Sequence, residues 1–160
     1  MSPRAACRLA TLGYDVYDYA PGKVGWMAHG LPIEGTQAGR TTALTLIRED
    51  VATCALDDSA DEVARRIEAT PYDFALALSP GRVVLGRVRR SRLADAAASV
   101  EVVIEPGPST IRPHTQLEDL AARLARGEAG TLIVTDPEGM LLGVVRRGDV
   151  EGISLNDAPS

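Results

Sequence analysis

The chain has 160 residues, of which 45% are apolar and 24% charged, and this composition excludes an intrinsically disordered chain. Its 17 basic and 22 acidic residues give a net charge of −5, which argues against a nucleic-acid partner. No apolar run approaches the roughly 18 residues that a membrane helix needs, and Met1–Arg8 lack the apolar core of a signal peptide. The sequence therefore predicts a cytoplasmic protein that does not cross a membrane.

Three short elements are predicted before a linker at residues 36–43. Pro3–Leu12 has the pattern of a helix, Tyr14–Tyr19 alternates like a strand, and Gly22–His29 has the pattern of a second helix. The apolar side chains of this segment are Leu9, Leu12, Val16, Trp26, Met27 and Leu31. Because so short a segment cannot close its own core, we expect them to pack on the rest of the chain or on a second chain, with Trp26 as the anchor.

The remainder of the chain contains an internal repeat. A shift of 57 residues places Asp50–Leu93 on Gly107–Val150 without a gap. The same shift aligns Leu85–Arg90 with Leu142–Arg147. Because helix, strand and turn signals stay aligned over this length, we interpret the two segments as a duplication.

The first copy has the pattern strand, helix, two strands, helix. Val51–Cys54 is the predicted first strand, and Asp58 is the expected N-cap of a helix whose apolar residues recur at helical spacing. Phe74–Leu78 and Val83–Val88 are predicted to form a hairpin across a Pro-Gly turn. A second helix is predicted to start near Arg90.

The second copy repeats this order. Ser109–Ile111 is its first strand, Thr115 its expected N-cap, and Thr131–Val134 and Met140–Val145 its hairpin, with a second helix from about Gly148. The middle strands are almost entirely apolar, which indicates that both of their faces are covered. The predicted fold class is α/β (α+β), with two β-α-β-β-α repeats packed together behind a short α-β-α segment.

Leu44–Ile153 resembles a tandem pair of CBS domains, also called a Bateman module. The resemblance rests on the duplicated unit with its proline-bearing hairpin and on the run Gly143–Asp149. That run is similar to the family signature, which has a glycine, two apolar residues, usually a threonine or serine, two variable residues and an aspartate. The resemblance assigns the first CBS repeat to residues 44–99, the second to 100–155 and a tail to 156–160.

The resemblance implies that the two repeats pack pseudosymmetrically and bind an adenosine ligand in a cleft between them. AMP, ADP, ATP and S-adenosylmethionine all suit such a cleft. Asp149 would accept hydrogen bonds from the ribose, and Arg146 would lie near phosphate. The implied base pocket comprises Thr110, Ile111, Gly130 and Thr131. The alternative for Asp149 is an acid in the first turn of the second helix.

The first copy departs from the family pattern at two positions. Arg92 stands where the aspartate belongs, and Arg89 stands where threonine or serine is usual. With Thr53, these residues form a second candidate set, expected either to stay empty or to take a more anionic ligand. The signature of the second copy also departs from the pattern, because Arg146 replaces the hydroxyl residue.

Residues 1–35 resemble the last third of a rhodanese, a sulfurtransferase domain. Leu12–Tyr19, Gly22–Trp26 and Gly30–Gly35 carry the helix, strand and helix order, with the tryptophan in a G-x-x-x-W helix. In that family the persulfide-forming cysteine lies in a loop before these elements, and this loop would precede the present sequence. Cys7 falls inside the predicted helix, so we expect it to be a structural thiol.

The sequence contains no motif of an ordinary enzyme active site. Cys54 forms no C-x-x-C pair, His29 and His114 are isolated, and G-x-S-x-G, H-E-x-x-H and glycine-rich phosphate loops do not occur. We therefore expect a non-catalytic sensor module that forms a homodimer and requires neither metal nor cofactor. Two alternatives remain open. One is a sulfurtransferase fragment with a CBS tail, and the other is a structural dimerisation module without a ligand.

Overall fold

A computed structural model describes residues 3–17, 19–35, 40–93, 100–127 and 130–156. Its helices are α1 (Pro3–Thr11), α2 (Gly22–Ala28), α3 (Ala43–Leu46), α4 (Ala60–Glu68), α5 (Arg90–Leu93), α6 (Leu117–Arg126) and α7 (Arg147–Asn156), with a 3₁₀ turn at Val100–Val102. Its strands are β1 (Ala52–Cys54), β2 (Phe74–Leu78), β3 (Val84–Arg89), β4 (Glu105–Pro106), β5 (Thr110–Ile111), β6 (Thr131–Thr135) and β7 (Leu141–Arg146). Most of the predicted linker and tail lies outside the described residues.

The strands form two sheets, one from each repeat. The first sheet has the order β1-β2-β3-β4 and the second the order β5-β6-β7. In both sheets the first two strands are parallel and the hairpin that follows is antiparallel. The predicted fold class and the duplicated β-α-β-β-α order are therefore confirmed.

Both predicted helix caps are wrong by one residue. Ser59 caps α4, and its hydroxyl accepts a hydrogen bond from the Glu62 amide at 3.3 Å. Asp58 instead accepts from the Ala55 amide and from Arg66, so its carboxylate holds the preceding loop. In the second repeat the N-cap of α6 is Gln116, whereas the predicted cap was Thr115.

A short leader precedes each repeat and packs on the other repeat. The first leader, residues 43–48, contributes Ala43 to the buried core of the second repeat. The second leader, residues 100–105, contributes Val100 to the core of the first. Ala43 and Val100 are fully buried and lie 57 positions apart. The predicted limits of the two CBS repeats, 44–99 and 100–155, stay a prediction. The leaders do not follow these limits, because each leader packs on the other repeat.

The hydrogen bonds of the two leaders repeat with the same shift. The Ala43 amide donates to the Thr115 carbonyl at 2.8 Å, and the Val100 amide donates to the Asp58 carbonyl at 3.3 Å. Further along, Arg48 pairs with β7 through two backbone hydrogen bonds of 2.8 and 2.9 Å, and β4 pairs with β3 at the equivalent place. The duplication therefore begins at least seven residues earlier than the aligned segment suggested.

Each leader crosses a glycine at very short range. A Cβ atom on Gly143 would lie 2.5 Å from the Arg48 carbonyl oxygen and 2.6 Å from an Ile47 methyl carbon. A Cβ atom on Gly86 would lie 2.4 Å from a side-chain carbon of Ile104 and 2.7 Å from the Glu105 carbonyl oxygen. Only glycine leaves room for the crossing strand at these two positions.

A pseudo-twofold axis runs between the tips of the two hairpins. Val83 and Met140 are 57 positions apart and face each other in an antiparallel bridge. Beneath the bridge an apolar cluster joins the sheets, with Phe74 and Leu76 packed in one cluster with Ile133. The two repeats therefore share one interface core, which includes Tyr72 and Phe74.

The amino-terminal segment contains the two predicted helices but not the predicted strand. Tyr14–Tyr17 forms no strand, because a strand needs a partner ladder and the described residues offer none here. Trp26 remains 37% exposed and Leu12 64% exposed, so these two side chains are not buried on the repeats, and their packing on a second chain stays a prediction. The Trp26 indole N–H instead donates to the Pro32 carbonyl at 2.7 Å, and its ring packs edge-on against Tyr19.

His29 connects this segment to the second repeat. Its Nδ1 lies 2.7 Å from the Gly25 carbonyl oxygen, and its Nε2 lies 3.0 Å from the Glu138 carboxylate. The hydrogen bond to Gly25 is the main cause that raises the pKa of His29, and the charge of Glu138 adds to it. Nearby, Gly30 packs against Leu44 of the first leader.

We predict that Gly143→Ala lowers the free energy of unfolding by about 1–3 kcal/mol, because the leader must move to admit the methyl group. Urea denaturation measures the change. Gly152→Ala is the control, since Gly152 lies in α7 with open space around its Cβ position. That variant should be neutral or more stable by up to about 1 kcal/mol. Equal stabilities for the two variants would contradict the close crossing.

We also predict that docking of the amino-terminal segment depends on pH. Only the part of the raised His29 pKa that comes from Glu138 depends on docking, since Gly25 lies in the same segment, and this contribution is fully present below the pKa of the undocked ring. It is lost as the pH rises through the higher pKa of the docked ring. The fluorescence of Trp26, the single tryptophan, reports the change. Glu138→Gln should shift the transition to lower pH, and an unchanged transition in this variant would be evidence against the contact.

Candidate functional site

A cavity of about 460 Å³ lies between the two repeats. The first repeat supplies Pro71, Tyr72, Asp73, Phe74, Arg87 and Arg89 to its wall, and the second supplies Gly130 and Thr131. Arg87 and Arg89 project from β3 on the same face, because side chains two apart in a strand share a side. The cavity thus combines two guanidinium groups with aromatic rings.

The second leader supplies a counter-charge to this first cleft. Glu105 accepts hydrogen bonds from Arg87 at 3.1 Å and from Arg89 at 3.1 Å. Burial alone would raise the pKa of the Glu105 carboxyl, but the two arginines outweigh it and the pKa is lowered. The arginines are therefore already paired, and an anionic ligand would compete with Glu105.

The predicted ribose acceptor lies in a second depression, beside α3 and α7. Asp149, in the first turn of α7, is held by Arg48 in a two-pronged ion pair with distances of 2.7 and 3.1 Å. The hydrogen bonds from Arg48 are the main cause that lowers the pKa of Asp149. The depression measures about 520 Å³, and Asp149 lies on its wall with Arg48.

The predicted phosphate ligand is also paired. The Arg146 Nε donates to the Tyr72 hydroxyl at 2.8 Å, and its guanidinium lies 4.7 Å from the centre of the Tyr72 ring. A second Arg146 nitrogen donates to the Asp50 carboxylate. The Tyr72 hydroxyl in turn donates to Asp50 at 2.6 Å, which is the main cause that lowers the pKa of Asp50.

Four of these partners were not predicted from the sequence, namely Arg48, Asp50, Tyr72 and Glu105. Three of the four lie in or just after a leader, outside the elements that periodicity reveals. One signal was available, because the shift of 57 residues places Arg48 on Glu105. That alignment indicates equivalent positions with opposite charge.

The structure divides the predicted site residues among several places. Gly130 and Thr131 line the cavity between the repeats, whereas Asp149 lies in the depression beside α7. Ile111 is buried in the core of the second repeat. The Thr110 hydroxyl accepts a hydrogen bond from Arg112 at 3.5 Å. The binding roles of these residues stay predictions.

The second candidate set is divided as well. Arg89 lines the cavity between the repeats. Thr53 lines a separate cavity of about 510 Å³ with Arg66, which donates to the Thr53 carbonyl at 3.2 Å. Arg92 is an exposed residue of the helical turn α5.

Within the described ranges, no three His, Cys, Asp or Glu side chains come together as a metal site would require. Likewise, none of the described helices has the length and apolar character to traverse a bilayer. Cys7 is exposed on α1, and Cys54 is buried, which raises the pKa of the Cys54 thiol to about 11.

Comparison with known proteins identifies the architecture. Residues 100–153 match the family model of the CBS domain. The match begins at the second leader and covers the second repeat. No curated protein matches the sequence.

Solved structures share the fold of the whole repeat pair. CBSX2 from Arabidopsis thaliana, a CBS-pair protein, has a TM-score of 0.65 at 19% identity and covers 73% of this chain and 96% of its own. The cytosolic domain of the Mg²⁺ channel MgtE, solved with ATP, has a TM-score of 0.64 at 21% identity, covering 73% of this chain. The match spans only 51% of the MgtE chain.

A third structure is the CBS domain pair of MJ0100, solved with 5′-methylthioadenosine and S-adenosylmethionine. It has a TM-score of 0.63 at 13% identity and covers 74% of this chain and 99% of its own. CBSX2 has also been solved with AMP. At these identities the likeness establishes the fold, and the fold is that of a tandem CBS domain pair.

We predict that Tyr72→Phe lowers the free energy of unfolding by about 1–2 kcal/mol. The variant keeps the ring under Arg146 but loses the hydroxyl that joins Arg146 to Asp50. Tyr14→Phe is the control, because Tyr14 is 64% exposed. Chemical denaturation of both variants measures the difference, and equal losses would show that the hydroxyl does not hold the repeats together.

Proposed function

We propose that this chain is a regulatory module that binds an adenine nucleotide or a related adenosyl ligand between its CBS repeats. The observation that carries the proposal is the CBS-pair fold, with Asp149 on the wall of a depression of about 520 Å³ and with Gly130 and Thr131 on the wall of a cavity of about 460 Å³ between the repeats. Structures of this fold have been solved with ATP, AMP and S-adenosylmethionine.

The second repeat is the proposed nucleotide-binding half. Its signature aspartate, Asp149, would accept hydrogen bonds from the ribose, and Arg146 would bind phosphate. Thr110, Ile111, Gly130 and Thr131 would form the base pocket. Thr131 and Arg146 are direct partners in the hairpin of β6 and β7, which supports their placement around one ligand.

The first repeat is proposed as the weaker or more anion-selective half. Arg92 offers no acceptor for a ribose diol, while Arg87 and Arg89 present guanidinium groups to the cavity. Glu105 occupies these groups, so only a ligand with several phosphate charges would displace it.

A second candidate function is a structural dimerisation module without a ligand. The observation in its favour is the pairing of Asp149 with Arg48, which fills the proposed ribose acceptor. In that account the ion pair joins the first leader to α7, and no ligand takes its place.

Further parts of the proposal concern the protein's setting. We propose a cytoplasmic homodimer without catalytic activity, in which the exposed apolar residues of the amino-terminal segment contact a partner. Tyr17 and Val24 in this segment are 86% and 73% exposed, and such side chains favour an interface. We also propose that this segment is related to the end of a rhodanese domain, on the sequence pattern described above.

Calorimetry of the full chain with ATP tests the nucleotide site. Asp149→Asn removes the charged acceptor, and we expect the dissociation constant to rise about 10- to 150-fold. Glu151→Gln is the matched control, because it makes the same charge change in the same helix. Arg146→Ala should weaken ATP more than adenosine, since only phosphate offers the guanidinium an anionic partner.

Two results would contradict the nucleotide site. The first is no binding of ATP, AMP or S-adenosylmethionine by the unmodified protein. The second is ATP binding that Asp149→Asn leaves unchanged while the same variant loses stability. This second result would favour the structural role of the Arg48–Asp149 pair.

A further inference from the structure

The segment Arg48–Asp50 engages both charged side chains on which the proposed nucleotide site depends. Its first residue holds Asp149, and its third holds Arg146. We propose that this segment is an internal competitor, in which a guanidinium takes the place of the ribose diol and a carboxylate takes the place of phosphate. This inference rests on the proposed function and adds the regulation of the same site.

The chemistry of the segment matches that of the ligand group by group. Arg48 donates two hydrogen bonds to the two carboxylate oxygens of Asp149, as the two hydroxyls of a ribose would. Asp50 offers an anionic oxygen to Arg146, as a phosphate would. The polar groups of the site are therefore satisfied before a ligand arrives. Exchange leaves none of them unpaired when the incoming phosphate also accepts from the Tyr72 hydroxyl, which donates to Asp50 in the absence of ligand.

The competitor can leave without disturbing the fold. The backbone of Arg48 is fixed by its two hydrogen bonds to Val144, but its side chain is 50% exposed and that of Asp50 is 47% exposed. Rotation of these two side chains into water frees Asp149 and Arg146 while the pairing with β7 stays in place. Exposed ion pairs are weak, so a ligand can displace them at a small cost.

The competitor exists in only one of the two clefts. The second leader packs on the first repeat, and Glu105 and Gly107 are its positions equivalent to Arg48 and Asp50. The position in the first repeat that is equivalent to Asp149 is Arg92. Glu105 contacts two arginines of β3 instead. Competition of this kind is therefore specific to the depression beside α7 that contains Asp149.

Two variants separate the two halves of the competitor. Calorimetry measures the dissociation constants of adenosine and of ATP for the unmodified full chain and for the variants Arg48→Gln and Asp50→Asn. Arg48→Gln should tighten adenosine about two- to tenfold, because Asp149 is freed for the ribose. Asp50→Asn should increase the preference for ATP over adenosine by a similar factor, because Arg146 is freed for phosphate. Arg90→Gln is the control, since it removes the arginine of an exposed ion pair with Glu68.

A measurement on the unmodified protein makes the test independent of any variant's folding. Raising the salt concentration from about 0.05 to about 0.5 M screens the Arg48–Asp149 pair. Adenosine carries no charge, so its binding to the unmodified chain should tighten with salt, and its binding to Arg48→Gln should not follow this trend. Unchanged affinities in both variants, with binding intact, would overturn the competitor alone. Absence of adenosine and ATP binding in every protein would overturn the nucleotide site together with it.

Discussion

The crossing of each leader over a glycine of the other repeat is the constraint on which the architecture depends. Gly86 and Gly143 leave no room for a side chain, so the crossing strands lie at backbone contact. This closeness fixes Arg48 and Glu105 at equivalent positions, where Arg48 pairs with Asp149 of the second repeat and Glu105 pairs with Arg87 and Arg89 of the first. The first sheet takes its edge strand β4 from the second leader, and the second sheet is extended by the bridge between Arg48 and Val144 of β7.

One backbone arrangement thus carries two different charge patterns. At one cleft a leader arginine meets an acid of α7, and at the other a leader acid meets two arginines of β3. The Arg48–Asp149 pair is neutral, whereas Glu105 balances only one of the two arginine charges that it contacts. The duplicated fold therefore presents different side-chain chemistry at equivalent positions, an acid of α7 at one place and arginines of β3 at the other.

The sequence predicted the parts that local physics determines. Apolar spacing revealed α4 and α6, and the Pro-Gly turns revealed both hairpins, because these signals lie within a few residues. The leaders were not predicted, because a four-residue helix and a single bridge are too short to show a periodic pattern in the sequence. The predicted strand at Tyr14–Tyr19 failed over its described residues because alternation does not supply a partner. The pair Arg48–Asp149 joins residues 101 positions apart, and no local pattern in the sequence connects them.

The most direct test of the account is a crystal structure of the full chain with ATP bound. The account predicts the ribose on Asp149 and phosphate on Arg146, with the side chains of Arg48 and Asp50 turned out to solvent and the leader backbone unchanged. ATP bound elsewhere, with both ion pairs of the Arg48–Asp50 segment intact, would contradict it.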